Sequence, residues 1–383
     1  MSYEIVEKCV AKLCPGEIVE KFRANCQRAQ FESQKGIKRT AENRLNIKLG
    51  QQKFWRSPEG REIKQRAGKQ TSKTLKGRYT KENNPGWKGG NWTVQRKYAI
   101  EFLGQECAVC KKIAEKPTVH HKDLVSTSLG LTAGGVLDNN KRNLEVLHYK
   151  CHSELHKTLK SKPITVLLSG GVDSTTTLYW ARKNFGTVRA LLFNYGQSNV
   201  IENKCAVKQS ELLGVSYTLI DVSEVFKIFT ENPLIAKSKK AAPDAKKEDV
   251  KGPATTWIPG RNLIFLMYAI IWGFSVGVRD LAIGVHTEDS PGYPDTRPEF
   301  IKSAELAFKS CFDDNSIHIW APLIYRNKSQ IVKLGTLLGV DFSNTYSCYR
   351  GQYPACGKCN ACVSRTQGFK DAGLKDPIQY AID

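Results

Sequence analysis

This 383-residue chain lacks the features that would place it in or across a membrane. Its first residues, Met1-Ser-Tyr-Glu, have none of the basic-then-apolar layout of a secretory leader, so a cytoplasmic location is expected. Its longest apolar run, Leu263 to Val278, is interrupted by Gly273, Ser275 and Gly277 and falls short of the ~20 residues a span needs. A buried core helix is the expectation there. Methionine occurs only twice, and acidic residues are scarce: 37 against 58 lysines and arginines, a formal charge of +21.

The charge is unevenly placed. Residues 1–162 hold 33 basic and 16 acidic residues, and the rest of the chain holds 25 and 21. A first half carrying +17 fits a polyanionic partner, with a solvated basic arm as the open alternative. Twelve cysteines without an export leader point to reduced thiols and metal sites, not to a disulfide framework.

Four regions follow from composition. Residues 1–90 are polar and basic and read as a DNA-binding region, with Trp55, Tyr79 and Trp87 among the lysines and Trp92 just beyond. Residues 91–159 carry all five histidines of the first half, residues 160–163 read as a linker, and residues 164–383 alternate strands and helices. In that last region strands are expected at Ile164–Leu168, Val188–Phe193, Tyr217–Ile220 and Leu281–Val285. Helices are expected at Ser174–Asn184, Ile201–Leu213, Arg261–Phe274 and Pro298–Ser310, with a mobile loop at Lys237–Lys251. The order implies an α/β fold, a doubly wound parallel sheet with helices on both faces.

Between the first strand and helix stands Ser169-Gly-Gly-Val-Asp-Ser174. Two glycines let successive backbone N–H groups turn around an anion, and the helix N-terminus adds its own donors. On spacing alone a tight connection explains it equally well. There is no terminal Lys-Ser/Thr, so this is not a Walker A loop. At the other end of the chain, Cys348, Cys356, Cys359 and Cys362 contain two overlapping C-x2-C pairs, the spacing of a closed, structural zinc site on the C-terminal loop.

The glycine loop resembles the pyrophosphate (PP) loop of the ATP-pyrophosphatase superfamily. Four further stretches are similar to the 7-cyano-7-deazaguanine (preQ0) synthase family: Tyr195-Gly-Gln197 with Glu202, Pro259-Gly-Arg-Asn262, Gly292-Tyr-Pro-Asp295 with Arg297-Pro-Glu-Phe300, and the cysteines. The resemblance implies ATP-dependent conversion of 7-carboxy-7-deazaguanine and ammonia to the nitrile through adenylated carboxylate and amide, on the route to queuosine. It also implies ATP contacts from Ser169, Gly170, Gly171, Val172, Asp173, Ser174, Arg261 and Asn262, with Asp173 helping to hold Mg2+. Asp173, Ser174 and Lys328 are the catalytic candidates, Lys328 as a further phosphate contact at a helix start. Asp289, Tyr293, Asp295, Arg297 and Glu299 are the expected substrate contacts, a carboxylate suiting the N1/N2 face of the base and a guanidinium its 7-carboxylate. The chain departs from the family at Thr296, where a cysteine is usual, across Glu288–Tyr293, and at Asn194, Ser198 and Asn199. These differences leave open the substrate and whether conversion stops at the amide.

In the first half, Cys107-x2-Cys110, His120-His121, Asn143 and His148-x2-Cys151-His152-x3-His156 resemble an HNH endonuclease. The resemblance implies a small ββα-metal domain in which Cys107, Cys110, His148 and Cys151 hold zinc, and His120, His152 and His156 hold a catalytic metal. His121 is then the general base and Asn143 shapes the loop. A zinc knuckle that binds DNA without cutting it is the alternative. For the whole chain a second expectation stays open: a DNA-processing or defence protein whose PP-loop domain adenylates another target.

Overall fold

The computed structural model describes residues 100–114, 117–125, 141–235, 238, 240–245 and 253–381. The expected basic region with Trp55, Tyr79, Trp87 and Trp92 lies outside these residues, as does most of the loop expected at 237–251. The described residues belong to one compact unit, Gly86–Asp383.

A small ββα element comes first: β1 (Pro117–His121) pairs antiparallel with β2 (Leu144–His148), and α1 (Tyr149–Ser161) follows. The main body is a five-stranded parallel sheet ordered β5-β4-β3-β6-β7. Its strands are β3 (Pro163–Leu167), β4 (Thr187–Asn194), β5 (Ser216–Asp221), β6 (Asp280–Ala282) and β7 (His318–Trp320). Central strands of such a sheet are covered on both faces and therefore read as continuous apolar runs. Accordingly Ile164 and Val166 of β3 and Ala190, Leu191 and Leu192 of β4 are fully buried.

The covering helices are α2 (Val172–Asn184), α3 (Val200–Leu212), a short α4 (Ser223–Phe226), α5 (Arg261–Ser275), α6 (Pro298–Phe312), α7 (Lys328–Leu338) and α8 (Asn360–Ala372). One core joins β3 and α2 to α7 and α8, with Trp180, Phe185, Ile331 and Phe369 buried in it. A second core, on α5 and α6, buries Leu266, Ile270, Ile301 and Phe308.

Three expectations need correction. The helix read as buried, α5, is buried only along Leu266, Ala269, Ile270 and Gly273; Leu263 and Ile271 on its other side are 41% and 52% exposed. The i, i+3, i+4, i+7 spacing of its buried residues is that of a helix with one core face. The strand expected to reach Val285 ends at Ala282. The segment read as a linker is not one: α1 runs through Ser161 and β3 starts at Pro163, leaving Lys162 alone between them.

The ββα element is also fastened to the sheet by its side chains. Leu124, Val125 and Leu159 enter the same core as Trp180 and Phe185. The Trp180 indole donates to the Asp123 carbonyl at 2.7 Å, and Arg326, only 1% exposed, pairs with the Asp123 carboxylate at 2.5 Å.

Strand order reverses at β3: β4 and β5 lie to one side, β6 and β7 to the other. Open α/β sheets bind ligands beyond the carboxyl ends of the strands at such a point. The Ser169–Ser174 loop emerges there, directly after β3.

Candidate active site

Gly170 takes φ +92°, and a Cβ on it would lie 2.1 Å from the Glu202 carbonyl oxygen and 2.7 Å from the Ala206 nitrogen. Only glycine fits both that backbone and that space. The loop is held by its own hydroxyls: Ser174 Oγ accepts from the Ser169 and Gly170 N–H groups, both at 3.2 Å, and Ser169 Oγ accepts from Gly171 N–H at 3.2 Å. An arriving anion can take over these donors without a change of fold.

Asp173, in the first turn of α2, receives both hydrogen bonds of a close ion pair from Lys328 Nζ, at 2.8 and 2.7 Å. Burial by itself would raise the Asp173 pKa, but Lys328, followed by His286, holds it far below the usual carboxylate range. Burial would likewise lower Lys328, yet Asp173 and then Asp289 raise it above the ordinary lysine value. Both groups are therefore charged at neutral pH. Lys328 opens α7, where Asn327 and Gln330 form a reciprocal capping box, and its own backbone N–H donates to Glu288 at 2.8 Å.

These groups border a cavity of about 690 Å³ that the phosphate loop shares with Glu202, Arg261, Asp289, Tyr293 and Lys328. Asn262 and Thr296 also line it. Arg261 lies 5.7 Å over the Tyr195 ring. Tyr293 shares a hydroxyl–hydroxyl bond with Thr256 and a second, at 3.3 Å, with Tyr349.

Three of the expected substrate contacts are elsewhere. Asp295 is buried outside the cavity lining, its carboxylate accepting from Trp257 Nε1 at 3.3 Å and from the Asn262 backbone N–H at 3.2 Å. It holds the start of α5, where the helix has free N–H donors and a partial positive charge. Arg297 is exposed and donates to the Ser290 carbonyl at 3.2 Å, and Glu299 is exposed on α6.

His286, like Thr256 and Tyr349, has no counterpart in the sequence reading. His286 is 1% exposed, with Nε2 at 3.2 Å from both Lys328 Nζ and Asp289 Oδ2 and with no hydrogen-bond partner for Nδ1 among the described residues. Its position directly after the strand expected to end at Val285, at the ligand-facing edge of the sheet, is the signal that could have found it.

Two further clusters could hold metal ions. The sulfurs of Cys348, Cys356, Cys359 and Cys362, all buried, lie within 4.8 Å of one another. Backbone N–H groups of Cys356 and Cys359 point at the sulfurs of Cys348 and Cys356, at 3.4 and 3.3 Å, as thiolate ligands require. Cys107, Cys110, His148 and Cys151 converge within the same limit, and His148 turns its other ring nitrogen to the Ile113 carbonyl at 3.1 Å. On the ββα element, His120, His152 and His156 form a third group, with ring centroids 4.7 to 5.2 Å apart. Burial, followed by crowding from His152, His156 and His121, lowers His120 to about 3. His121, the neighbouring strand residue, is buried and outside this triad, and Asn143 Oδ1 accepts from the Asp123 N–H at 2.9 Å, closing the turn after β1.

The family model described as queuosine biosynthesis protein QueC matches residues 163–373, more than half of the chain. The chain belongs to the QueC family. The 7-cyano-7-deazaguanine synthase of Pseudomonas syringae pv. syringae is 40% identical over 235 residues, 60% of this chain and 99% of that protein. The synthase of Psychrobacter cryohalolentis is 36% identical over 242 residues, 60% of this chain and 93% of that protein. Among solved structures, the U34-tRNA thiolase NcsA from Methanococcus maripaludis overlaps with a TM-score of 0.31 at 15% identity, covering 70% of this chain and 84% of that one. The QueC match begins at the first residue of β3 and so leaves the ββα element outside it. Among the described residues, no helix is long and apolar enough to cross a membrane.

Proposed function

We propose that residues 163–373 convert 7-carboxy-7-deazaguanine, ammonia and ATP into 7-cyano-7-deazaguanine, with release of AMP and pyrophosphate. The observation that carries this reading is the PP loop with its Asp173–Lys328 pair at the head of a cavity large enough for a nucleotide and a purine-like base. The loop amides and Lys328 are placed to draw charge from the phosphates of ATP as pyrophosphate departs. Arg261 and Asn262 border the same space and belong with ATP, whereas Asp289 and Tyr293 are the remaining candidates for the base. Tyr293, Tyr349, and Ser347 and Ala361 of the C-terminal cysteine loop line the same space, where they would shield an adenylate from part of the solvent.

When bound at Asp173, Mg2+ supplies charge neutralisation for the phosphates; the carboxylate, fully ionised, fits that role. Zinc fits the four convergent cysteines, where no position is left for a substrate, and its contribution there is structural. Purified protein is expected to lose one equivalent of zinc on Cys359→Ser, with an earlier thermal midpoint. An unchanged metal content by elemental mass spectrometry contradicts the assignment.

The test of the reaction itself is product analysis by mass spectrometry. Nitrile that requires both ammonium and 7-carboxy-7-deazaguanine supports the synthase. Turnover of ATP that ignores both would return the domain to an adenylating enzyme with another target.

For the ββα element the convergence of His120, His152 and His156 favours a second activity, metal-dependent cleavage of DNA. A divalent ion on three imidazoles retains open positions and supplies charge for a phosphate oxygen. His121 would take the proton from water and Asn143 would keep the turn closed. Cys107, Cys110, His148 and Cys151 would hold zinc away from the chemistry. Supercoiled plasmid should be nicked with Mg2+ or Mn2+ by the wild type and not by His152→Ala. Equal nicking by both, or by neither, removes this reading and leaves a metal-stabilised element of the synthase.

A further inference from the structure

We propose that Glu202 is the general base that removes protons from the reacting nitrogen during amide and nitrile formation. The inference rests on the synthase reading and deepens it. Adenylation of a carboxylate needs no proton acceptor, since the nucleophile is already an anion. Each later event does. In amide formation the lone pair of ammonia attacks the acyl carbon, the carbon–oxygen bond to AMP breaks with its electron pair, and one N–H proton must leave. In the second round the amide oxygen attacks the α-phosphorus and pyrophosphate departs. The carbon–oxygen bond then breaks to release AMP as the carbon–nitrogen bond becomes triple. The two N–H protons of the amide are lost over those two events, with no change in oxidation state.

The cavity offers four carboxylates, and three are engaged. Asp173 is paired with Lys328, Asp289 lies 3.2 Å from His286 Nε2, and Glu288 accepts from the Lys328 backbone N–H. Glu202 lines the same cavity and has no ion-pair partner among the described residues. Its Oε1 accepts only from the Ser169 hydroxyl at 3.3 Å, and its Oε2 from Asn199 Nδ2 at 3.4 Å, both long.

It is held where the reacting centre must be. Asn199 caps α3 by accepting from the Glu202 N–H, which fixes the first turn of the helix. That turn packs on the phosphate loop so closely that a Cβ on Gly171 would lie 3.0 Å from Glu202 Oε1. A carboxylate that touches the phosphate loop and lines the same cavity is within the space where ATP and the activated substrate would meet.

The groups around it set its basicity. Arg261 from α5 and Ser169 from the loop favour the ionised form; Asp173 from α2 opposes it, and Tyr195 and Cys205 are the other titratable neighbours. Burial outweighs these and pushes the carboxyl up to about 8. That places it in the range where a side chain both accepts a proton from nitrogen and passes it on to solvent. An ordinary carboxylate, near ~4.3, is a much weaker base.

The experiment separates the two half-reactions in the full-length protein. Exchange of labelled pyrophosphate into ATP, driven by 7-carboxy-7-deazaguanine without ammonium, reports adenylation alone. Mass spectrometry after adding ammonium reports amide and nitrile. Glu202→Gln, nearly identical in shape, is expected to lower amide and nitrile formation about a hundredfold while exchange falls by less than about tenfold. Glu202→Asp, which keeps the carboxylate but draws it back, should recover part of the loss. Equal loss in both assays would make Glu202 a structural support of the phosphate loop and overturn the proposal. So would amide formation at the wild-type rate. Absence of exchange in the wild type would instead overturn the synthase reading, and the role of Glu202 with it.

Discussion

Lys328→Met is expected to lower the rate of adenylation by about a hundred- to a thousandfold, the loss typical of one preorganised charge at a reacting centre. The side chain is removed from a position where its ammonium is 2.8 and 2.7 Å from the two Asp173 oxygens and 3.2 Å from His286. Methionine keeps the length and most of the volume, so α7 and its capping box should stand. Without the ammonium, Asp173 would lose the partner that holds its pKa down and would face the phosphates as an uncompensated anion. Both ATP binding and the chemical step should suffer. Lys328→Arg should recover only part of the rate, because a planar guanidinium does not replace a compact ammonium against two oxygens. Single-turnover formation of pyrophosphate checks this, and a loss below about fivefold would remove Lys328 from the phosphate site.

Arg326→Met is expected to destabilise the protein by about 3–5 kcal/mol, among the largest effects any single substitution should have here. Arg326 is fully buried, with Nε on the Pro322 carbonyl at 3.3 Å and a terminal nitrogen on Asp123 at 2.5 Å. Removing the cation strands the Asp123 carboxylate in the junction between the ββα element and the sheet. Asp123→Asn combined with Arg326→Met should restore part of the loss, since neither member is then an unpaired charge. Urea unfolding followed by tryptophan fluorescence is the measurement, because Trp180 donates to the Asp123 carbonyl. A shift below about 1 kcal/mol would mean that the junction is wet and the ion pair incidental.

These two residues also mark the limit of the sequence. The features encoded locally were the most legible. Ser169-Gly-Gly gives a strand-loop-helix turn because glycine alone takes the φ of Gly170. His152 and His156 share a helix face because they are four apart, and the paired C-x2-C spacing brings four sulfurs together. The contacts that complete the site are not local. Lys328 and Asp173 are 155 residues apart, and Arg326 and Asp123 are 203 apart, so only the fold joins them.

The misreadings have the same origin. Asp295 stands in a stretch rich in chemistry, yet its carboxylate is drawn inward to the N-terminus of α5, a demand that arises only once the helix packs there. His286 carried no motif, and its importance follows from lying beyond β6 at the sheet's reversal point. Lys160-Ser-Lys-Pro163 looked like a linker because proline and lysine punctuate it, but proline is also tolerated as the first residue of a strand.

The central claim is that a carboxylate oxygen of the substrate attacks the α-phosphorus of ATP. Oxygen-18 in the carboxylate of 7-carboxy-7-deazaguanine tests it most directly, with the label followed by mass spectrometry in AMP and pyrophosphate after complete conversion. The account predicts labelled AMP, one substrate oxygen in the AMP of each adenylation, and unlabelled pyrophosphate. Label in pyrophosphate or in inorganic phosphate would mean attack at another phosphorus and would contradict the account at its root.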